Sequence, residues 1–242
     1  MILHVLPTRT ARAAENMAVD FLLLQRYPEA GAPRFRHYEW AVPAFTFGYS
    51  QKIAFVREQL ARVAAEPARF DLCRRPTGGG LVDHRDDWTY ALVIPRGHVL
   101  EEQRATHSYR VIHEAIAEAL RAQGVPASLQ QRAEPDQSME GAAGVCFQRA
   151  EIHDVVHDTT GAKIAGGAQK RNKHGLLFQG SIWRPAAGGD ALDWERFGDE
   201  FVLALARSLD AAAESRPWPE IADHEIEALI EQYSSPDWIE SR

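Results

Sequence analysis

Short apolar runs rich in β-branched and aromatic residues alternate along this chain with stretches in which apolar positions recur every three or four residues. The first pattern predicts strands and the second helices. Ile2–Leu6 reads as a strand, and Thr8 or Thr10 is placed to cap a helix over Ala13–Gln25, which ends before Pro28. Arg34–Trp40 and Ala44–Tyr49 read as strands split by Val42-Pro43, with a short charged helix at Arg57–Ala65. Phe70–Arg74, a loop at Pro76–Gly80 and the run Thr89–Ile94 form a strand, glycine loop, strand unit.

In the second half, Thr106 is placed to cap a helix over Tyr109–Gln123, where Ile112, Ile116, Ala119 and Leu120 keep helical spacing and Gly124 closes the element. Gln130–Ala142 is polar and reads either as a mobile loop of the kind that covers active sites or as a surface excursion. Val145–Phe147, Ile152–Val156, Lys163–Ala168 and Leu176–Trp183 read as strands with tight turns, an antiparallel arrangement. Two amphipathic helices follow, Trp194–Leu209 and one capped by Asp223 that buries Ile226, Leu229, Ile230 and Tyr233. No internal repeat is visible, and a single domain is the simplest organisation.

Composition narrows the class. With 242 residues, 45% hydrophobic and 25% charged, the chain is neither disordered nor fibrous. Folding should bury roughly 70–75% of the unfolded surface, enough for a core without disulfide or metal staples. The balance of 27 basic against 34 acidic residues, net −7, with no dense Lys/Arg stripe, argues against nucleic acid as a partner. Two cysteines, Cys73 and Cys146, are too few for a secreted disulfide framework. Met1–Pro7 is too short for a signal peptide, and nowhere do about 18 uncharged apolar residues stand together, so no membrane anchor and a cytoplasmic location are expected.

Three groups of residues bear on chemistry. Arg74-Arg75-Pro76-Thr77-Gly78-Gly79-Gly80 joins two cations to a loop whose bare backbone can aim N–H groups at a carbonyl or phosphate, although no dinucleotide or P-loop fingerprint is present. Cys146 reads as a buried inert thiol unless Lys163, on a neighbouring strand, lowers its pKa and makes it a nucleophile for an acyl group. His153 and His157 fall on a strand-like segment, about 13 Å apart, so no metal site is expected there.

Taken in order, these motifs resemble those of the lipoate-protein ligase and octanoyltransferase family, whose catalytic domain is shared with biotin protein ligases. The resemblance runs from Glu15–Asp20 through Tyr38–Trp40 and Phe47–Gln51, then through Arg74–Gly80 with His84, Thr89 and Tyr90. It continues at Asp154, Gly161–Gln169, Gln179–Ile182 and Tyr233–Trp238. It implies an α+β fold in which a mixed, largely antiparallel sheet is flanked by helices, with residues 1–242 forming one catalytic domain and no accessory C-terminal domain. It also implies an acyl chain in a tunnel beneath the glycine loop, with Lys163 at the activated carbonyl.

The resemblance further marks a substrate-binding set of Arg74, Arg75, Thr77, Gly78, Gly79, Gly80, His84, Tyr90, Asp154, Gly166, Gln169, Gln179, Gly180 and Ser181. Gly144-Val-Cys146-Phe147 is similar to the segment that carries the nucleophile in one octanoyltransferase branch, so Cys146 and Lys163 are the expected catalytic pair. The activity implied is octanoyl or lipoyl transfer, without cofactor or metal, from an acyl carrier protein or lipoyl-type domain. The acceptor would be a lysine in a lipoyl domain of a 2-oxoacid dehydrogenase or glycine cleavage protein. Basic residues near Arg74, Arg75, Lys170, Arg171 and Lys173 are candidates for steering such acidic carriers.

Two rivals stand beside this reading. An ATP- and magnesium-dependent ligase would work through an acyl-adenylate and leave Cys146 merely packed. A non-catalytic relative would bind acylated domains without turning them over. Gln179-Gly180, where the family usually carries His-Gly, is the feature favouring that second rival, because glutamine cannot titrate.

Overall fold

A computed structural model describes residues 1–64, 70–132 and 150–241. In chain order its elements are β1 (Ile2–Ala11), α1 (Ala13–Gln25), β2 (Arg34–Trp40), β3 (Ala44–Phe47), α2 (Ile53–Val63), β4 (Asp71–Arg74), β5 (Val82–Asp83), β6 (Asp87–Pro95), α3 (Val99–Glu102) and α4 (Ala105–Ala122). There follow β7 (Ala127–Leu129), β8 (Val155–His157), β9 (Lys163–Asn172), β10 (Gly175–Trp183), α5 (Trp194–Ser208), β11 (Ala212–Ser215), α6 (Asp223–Ser234) and α7 (Pro236–Ile239). Cys146, the strand expected at Val145–Phe147 and nearly all of the loop expected at Gln130–Ala142 lie outside the described residues.

Eight strands make one sheet in the order β11-β1-β2-β6-β10-β9-β8-β7. β1 runs parallel to both β2 and β11, and every other neighbour in this sheet is antiparallel. A second sheet, β4-β3-β5, stands apart and carries the glycine loop between β4 and β5. The architecture is therefore α+β with a mixed, largely antiparallel main sheet, as the family resemblance implied.

Helices cover both faces of the main sheet, which explains why every residue of β6 is buried rather than every second one. On one face Trp88, Tyr90 and Phe178 pack against Ile112, Ile116 and Leu120 of α4 and Phe197, Phe201 and Leu205 of α5. On the other, Ala91, Val93 and Leu177 meet Met17, Ala18 and Leu23 of α1 and Tyr233 of α6. Each large apolar side chain so buried contributes about 1.5–3 kcal/mol. Among the described residues no helix is long and apolar enough to cross a membrane.

Several local expectations are corrected. Thr8 and Thr10 do not cap α1, because β1 continues to Ala11 and Arg12 takes the cap position without a side-chain bond. Pairing with β2 outcompetes the local cap, and a register shift between Leu6 and Arg9 accommodates Pro7. Likewise α4 begins at Ala105, one residue before its expected cap, and Asp223 lies inside α6. His153 sits in a turn with φ of 72° rather than on a strand, so only His157 lies in β8. Among the described residues no cluster of potential ligands could hold a metal ion.

Candidate functional site

The edge where α1, the small sheet and the middle strands of the main sheet meet encloses an apolar cleft with about 440 Å³ of empty space, part of it open to solvent. Gly166, Gly167 and Ala168 of β9 and Gln179, Gly180 and Ser181 of β10 line one side, and Met17, Tyr38 and Trp40 line another. Arg75, Gly79, Val82 and His84 enter from the glycine loop and the strand after it.

Backbone contact holds the loop in place. Gly48 passes so closely beneath it that a Cβ there would stand 2.1 Å from the Gly79 carbonyl oxygen. Tyr49 N–H donates to the Thr77 carbonyl at 2.8 Å, and Gly79 takes φ of 88°, a conformation that favours glycine. Arg75 reaches back inside the loop, donating to the carbonyls of Gly78 at 2.8 Å and Gly80 at 3.0 Å and to the Thr46 hydroxyl at 2.8 Å.

Arg74 departs from the expectation of a substrate contact. It is fully buried and donates to the carbonyls of Tyr49, Gln51, Trp238 and Ile239, tying α7 to the small sheet. A guanidinium whose donors are directed at backbone carbonyls has no fork left to offer a ligand at the cleft.

Lys163, the first residue of β9, is 6% exposed, and its Nζ lies 2.7 Å from Oδ2 of Asp154. The same carboxylate oxygen accepts the Glu151 backbone N–H at 2.7 Å. The lysine chain lies in the space a side chain at Gly166 would fill, for a Cβ there would stand 2.8 Å from Cε and 2.9 Å from Nζ. Gly166 lines the cleft, so the lysine head group stands against a cleft-lining residue without being one of the lining residues itself.

Gln179 is held at both ends of its amide. Nε2 donates to Oδ2 of Asp20 at 2.7 Å, and Oε1 accepts the Thr77 hydroxyl at 2.7 Å. Asp20 is fully buried, bonded also by Arg36 Nε at 2.7 Å and by the Tyr38 hydroxyl at 3.3 Å. Burial pushes the Asp20 carboxyl up from its ordinary range, while Arg36 and these hydrogen bonds pull it down. The amide that was expected to orient a substrate carbonyl thus spends its polar atoms on the protein.

Polar side chains gather at the other end. His84 Nδ1 lies 2.7 Å from Asp87 Oδ2 and its Nε2 lies 2.7 Å from Thr46 Oγ1. Asp87 Oδ2 also accepts from the Thr89 hydroxyl at 2.9 Å and from the Ser181 hydroxyl.

The structure therefore gathers Arg75, Gly79, His84, Gly166, Gln179, Gly180 and Ser181 around one cleft. Thr77, Gly78 and Gly80 shape the loop behind it, and Lys163 and Asp154 stand against Gly166. Tyr90 and Gln169 are placed elsewhere. The Tyr90 ring lies on the α4 side, over the space that a side chain at Gly180 would need, and Gln169 accepts from Ser108 of α4. Thr46 and Asp87 were left unmarked by sequence reasoning, and Asp20 was quoted within the Glu15–Asp20 motif without being assigned to the site. Asp87 left a local signal, a histidine and an aspartate three residues apart, and Asp20 left one as the last residue of a quoted motif; Thr46 looks like an ordinary strand residue.

Residues 12–184 match the family model of the lipoyl protein ligase A/B catalytic domain. An octanoyltransferase LipM of Bacillus anthracis is 33% identical over 203 residues, 82% of this chain and 71% of that protein. The matched stretch spans 60% to 71% of the length of five such relatives. Among solved structures, a bi-partite lipoate protein ligase of Thermoplasma acidophilum, studied with its E2 lipoyl domain, superposes with a TM-score of 0.70 at 17% identity, covering 99% of this chain and 97% of that one. A lipoate-protein ligase A bound with ATP gives a TM-score of 0.70 at 17% identity, covering 98% and 97%.

Proposed function

Because the chain belongs to the lipoyl protein ligase A/B catalytic domain family, we propose that it is an acyltransferase of protein lipoylation that passes an octanoyl group through Cys146 onto a lysine of a lipoyl domain. The observation that carries this reading is the position of Lys163, buried beside Asp154 and packed against Gly166, which lines an apolar cleft bordered by the glycine loop. The cleft takes a saturated chain, and the amine stands where negative charge grows on a carbonyl under attack. A fixed cation at such a point is worth several kcal/mol in the transition state.

In this reading the Cys146 thiolate attacks the donor thioester, the donor thiol leaves, and the acceptor lysine then attacks the new thioester. The donor thioester is already activated, the first shift exchanges one thioester for another and the second runs downhill to an amide, so no ATP is needed. The donor is an acyl carrier protein or a lipoyl-type domain. The acceptor is a lipoyl domain of the kind carried by 2-oxoacid dehydrogenases or glycine cleavage proteins. The neighbour studied with its E2 lipoyl domain supports such an acceptor through a shared fold.

The test is to incubate the protein with octanoyl-loaded carrier protein and an apo lipoyl domain, with and without ATP, and to take intact masses. Octanoyl on Cys146 and on the acceptor without ATP is the expected result. A strict ATP requirement with pyrophosphate release, and full activity in Cys146→Ser, would instead make the protein a ligase. Lys163→Met should lower transfer by roughly 10²-fold in the same assay.

A further inference from the structure

The inward face of α4 is apolar except at one place, where it carries an imidazole. His113 is fully buried, with its ring T-shaped to Phe178 at 5.7 Å and to Tyr109 at 5.8 Å. Its Nε2 is buried without a hydrogen-bond partner, an arrangement that costs free energy and that a leucine or phenylalanine would avoid. The other ring nitrogen gives the reason for a histidine here.

The direction of the hydrogen bond at Nδ1 is settled by its partner. Nδ1 lies 2.6 Å from the backbone carbonyl oxygen of His153, and a carbonyl oxygen only accepts, so Nδ1 carries the hydrogen. Burial lowers the ring's pKa against the upward pull of Asp154 and of this carbonyl, which leaves the ring neutral at pH 7.

The carbonyl belongs to the turn Glu151–Asp154. Within it His153 takes φ of 72°, a left-handed conformation uncommon outside glycine, so the turn needs outside support. Asp154 N–H donates to the Glu151 carbonyl at 3.0 Å and closes the turn. His153 N–H donates to the Gln130 carbonyl at 2.9 Å, and Gln130 N–H donates to the Asp154 carbonyl at 2.8 Å, which fastens the turn to the chain just past β7. His113 fastens the same turn to α4.

Asp154 ends that turn, and its Oδ2 accepts the Glu151 N–H at 2.7 Å and lies 2.7 Å from Lys163 Nζ. Lys163 in turn lies against Gly166 of the cleft lining. An unbroken run of contacts thus leads from the His113 ring through the His153 carbonyl and the Asp154 carboxylate to the Lys163 amine.

We infer that His113 is a positioning residue for Lys163: by donating Nδ1–H to the His153 carbonyl it fixes the Glu151–Asp154 turn, and with it the carboxylate that holds the lysine amine against Gly166. A lysine head group rides on a flexible four-carbon stem, and a cation serves a reacting carbonyl best when it is held in place beforehand. Loosening the turn should therefore appear in kcat rather than in substrate affinity.

This inference rests on the reading of Lys163 as the cation at the acyl carbonyl, and the experiment separates the two. Three substitutions divide the ring's roles. His113→Phe keeps the ring without a donor, His113→Asn places an amide nitrogen where Nδ1 stood, and His113→Gln places one where Nε2 stood. Transfer of octanoyl from loaded carrier protein to an apo lipoyl domain is followed in each, alone and in a Lys163→Met background. In His113→Phe and His113→Gln kcat should fall roughly tenfold with KM within about twofold of the parent. His113→Asn should recover most of that loss although it fills the site less well than phenylalanine. With Lys163→Met, His113→Phe should cost less than about twofold more, because the group being positioned is gone. Native-state hydrogen exchange at the Glu151 and Asp154 amides should be faster in His113→Phe and parent-like in His113→Asn.

Parent-like kcat in His113→Phe, an equal loss in His113→Asn, or an undiminished loss in the Lys163→Met background would overturn the positioning role. His113→Gln replaces His113→Phe in every comparison if the latter does not fold. A parent that transfers nothing overturns the functional reading, and amide exchange then decides the turn by itself: faster exchange in His113→Phe but not in His113→Asn upholds the support that His113 gives it, and equal exchange in all variants removes it.

Discussion

Gln179 donates its amide N–H to the buried carboxylate of Asp20 at 2.7 Å, joining the middle of β10 to α1 across 159 positions of sequence. A carboxylate only accepts, so the amide oxygen must face the other way, where it receives the Thr77 hydroxyl. The buried ion pair of Asp20 and Arg36 is thereby connected through a neutral spacer to the glycine loop.

Gln179→Leu should lose both bonds and destabilise the protein by about 1–3 kcal/mol in chemical denaturation, with a raised KM for the acyl donor as the loop loosens. Gln179→His should regain most of the stability but bring a titrating ring into contact with Asp20. Its kcat/KM should acquire an added titration around the ordinary histidine range, about 6.5, on top of the parent's own profile. Superimposable pH profiles for parent and Gln179→His would contradict the neutral-spacer account.

Gly48 is set by contact with backbone. An added Cβ would meet the Gly79 carbonyl oxygen at 2.1 Å and the Gly78 carbonyl carbon at 2.7 Å, so the loop itself must lift. Gly48→Ala should cost about 1–3 kcal/mol as an overpacked site. It should reduce transfer by more than tenfold, since a displacement near 1 Å at a reacting centre costs about 10²-fold. Denaturation and transfer assays on one preparation check both; parent-like activity would show that the loop position does not matter.

The two cysteines should separate by reactivity. Cys73 is 1% exposed, and burial pushes its thiol up to about 12, with Asp71 adding to the rise and Arg75 opposing it. Thiolate at that site is negligible at pH 8. Native protein treated with iodoacetamide should therefore take label at Cys146 alone, and Cys146→Ser should take none until unfolded. Peptide mapping that finds Cys73 labelled in the native state would refute this.

Acid stability should depend on His113. Burial lowers its pKa below the ordinary value; Asp154 and the His153 carbonyl pull it up, and Lys163 and the His153 ring push it down. The folded state binds this proton less readily than the unfolded one, so the contribution is complete above about pH 6.5 and is lost as pH falls through the lowered value. His37 and His98 are shifted the same way, again chiefly by burial. Urea denaturation should show stability falling from pH 6.5 toward 5, less steeply in His113→Phe. Identical slopes would remove His113 from the account.

Which residues form strands and helices was largely written in local pattern. The bounds of α1 and of β2 follow from periodicity and flanking prolines, and β10 departs by one residue from the expected run. The glycine loop drew attention because bare backbone stands next to two arginines, whereas Asp154 and the role of Lys163 were marked only through the resemblance to the family's motifs. Strand β11 was not recognised, since Ala212–Ser215 has no alternation and is a strand only because β1 offers an unpaired edge.

Residue types, their order and their spacing thus determined the fold class, the family and the loop that closes the cleft. Tertiary structure alone decided which of those residues share the cleft. It turned Arg74 toward the carbonyls of α7, placed Tyr90 on the opposite face of the sheet, and brought Thr46, His84 and Asp87 into one hydrogen-bonded line. The physical reason is that a side chain's partner is set by strand register and packing across the whole chain, whereas spacing along the sequence fixes only its near neighbours.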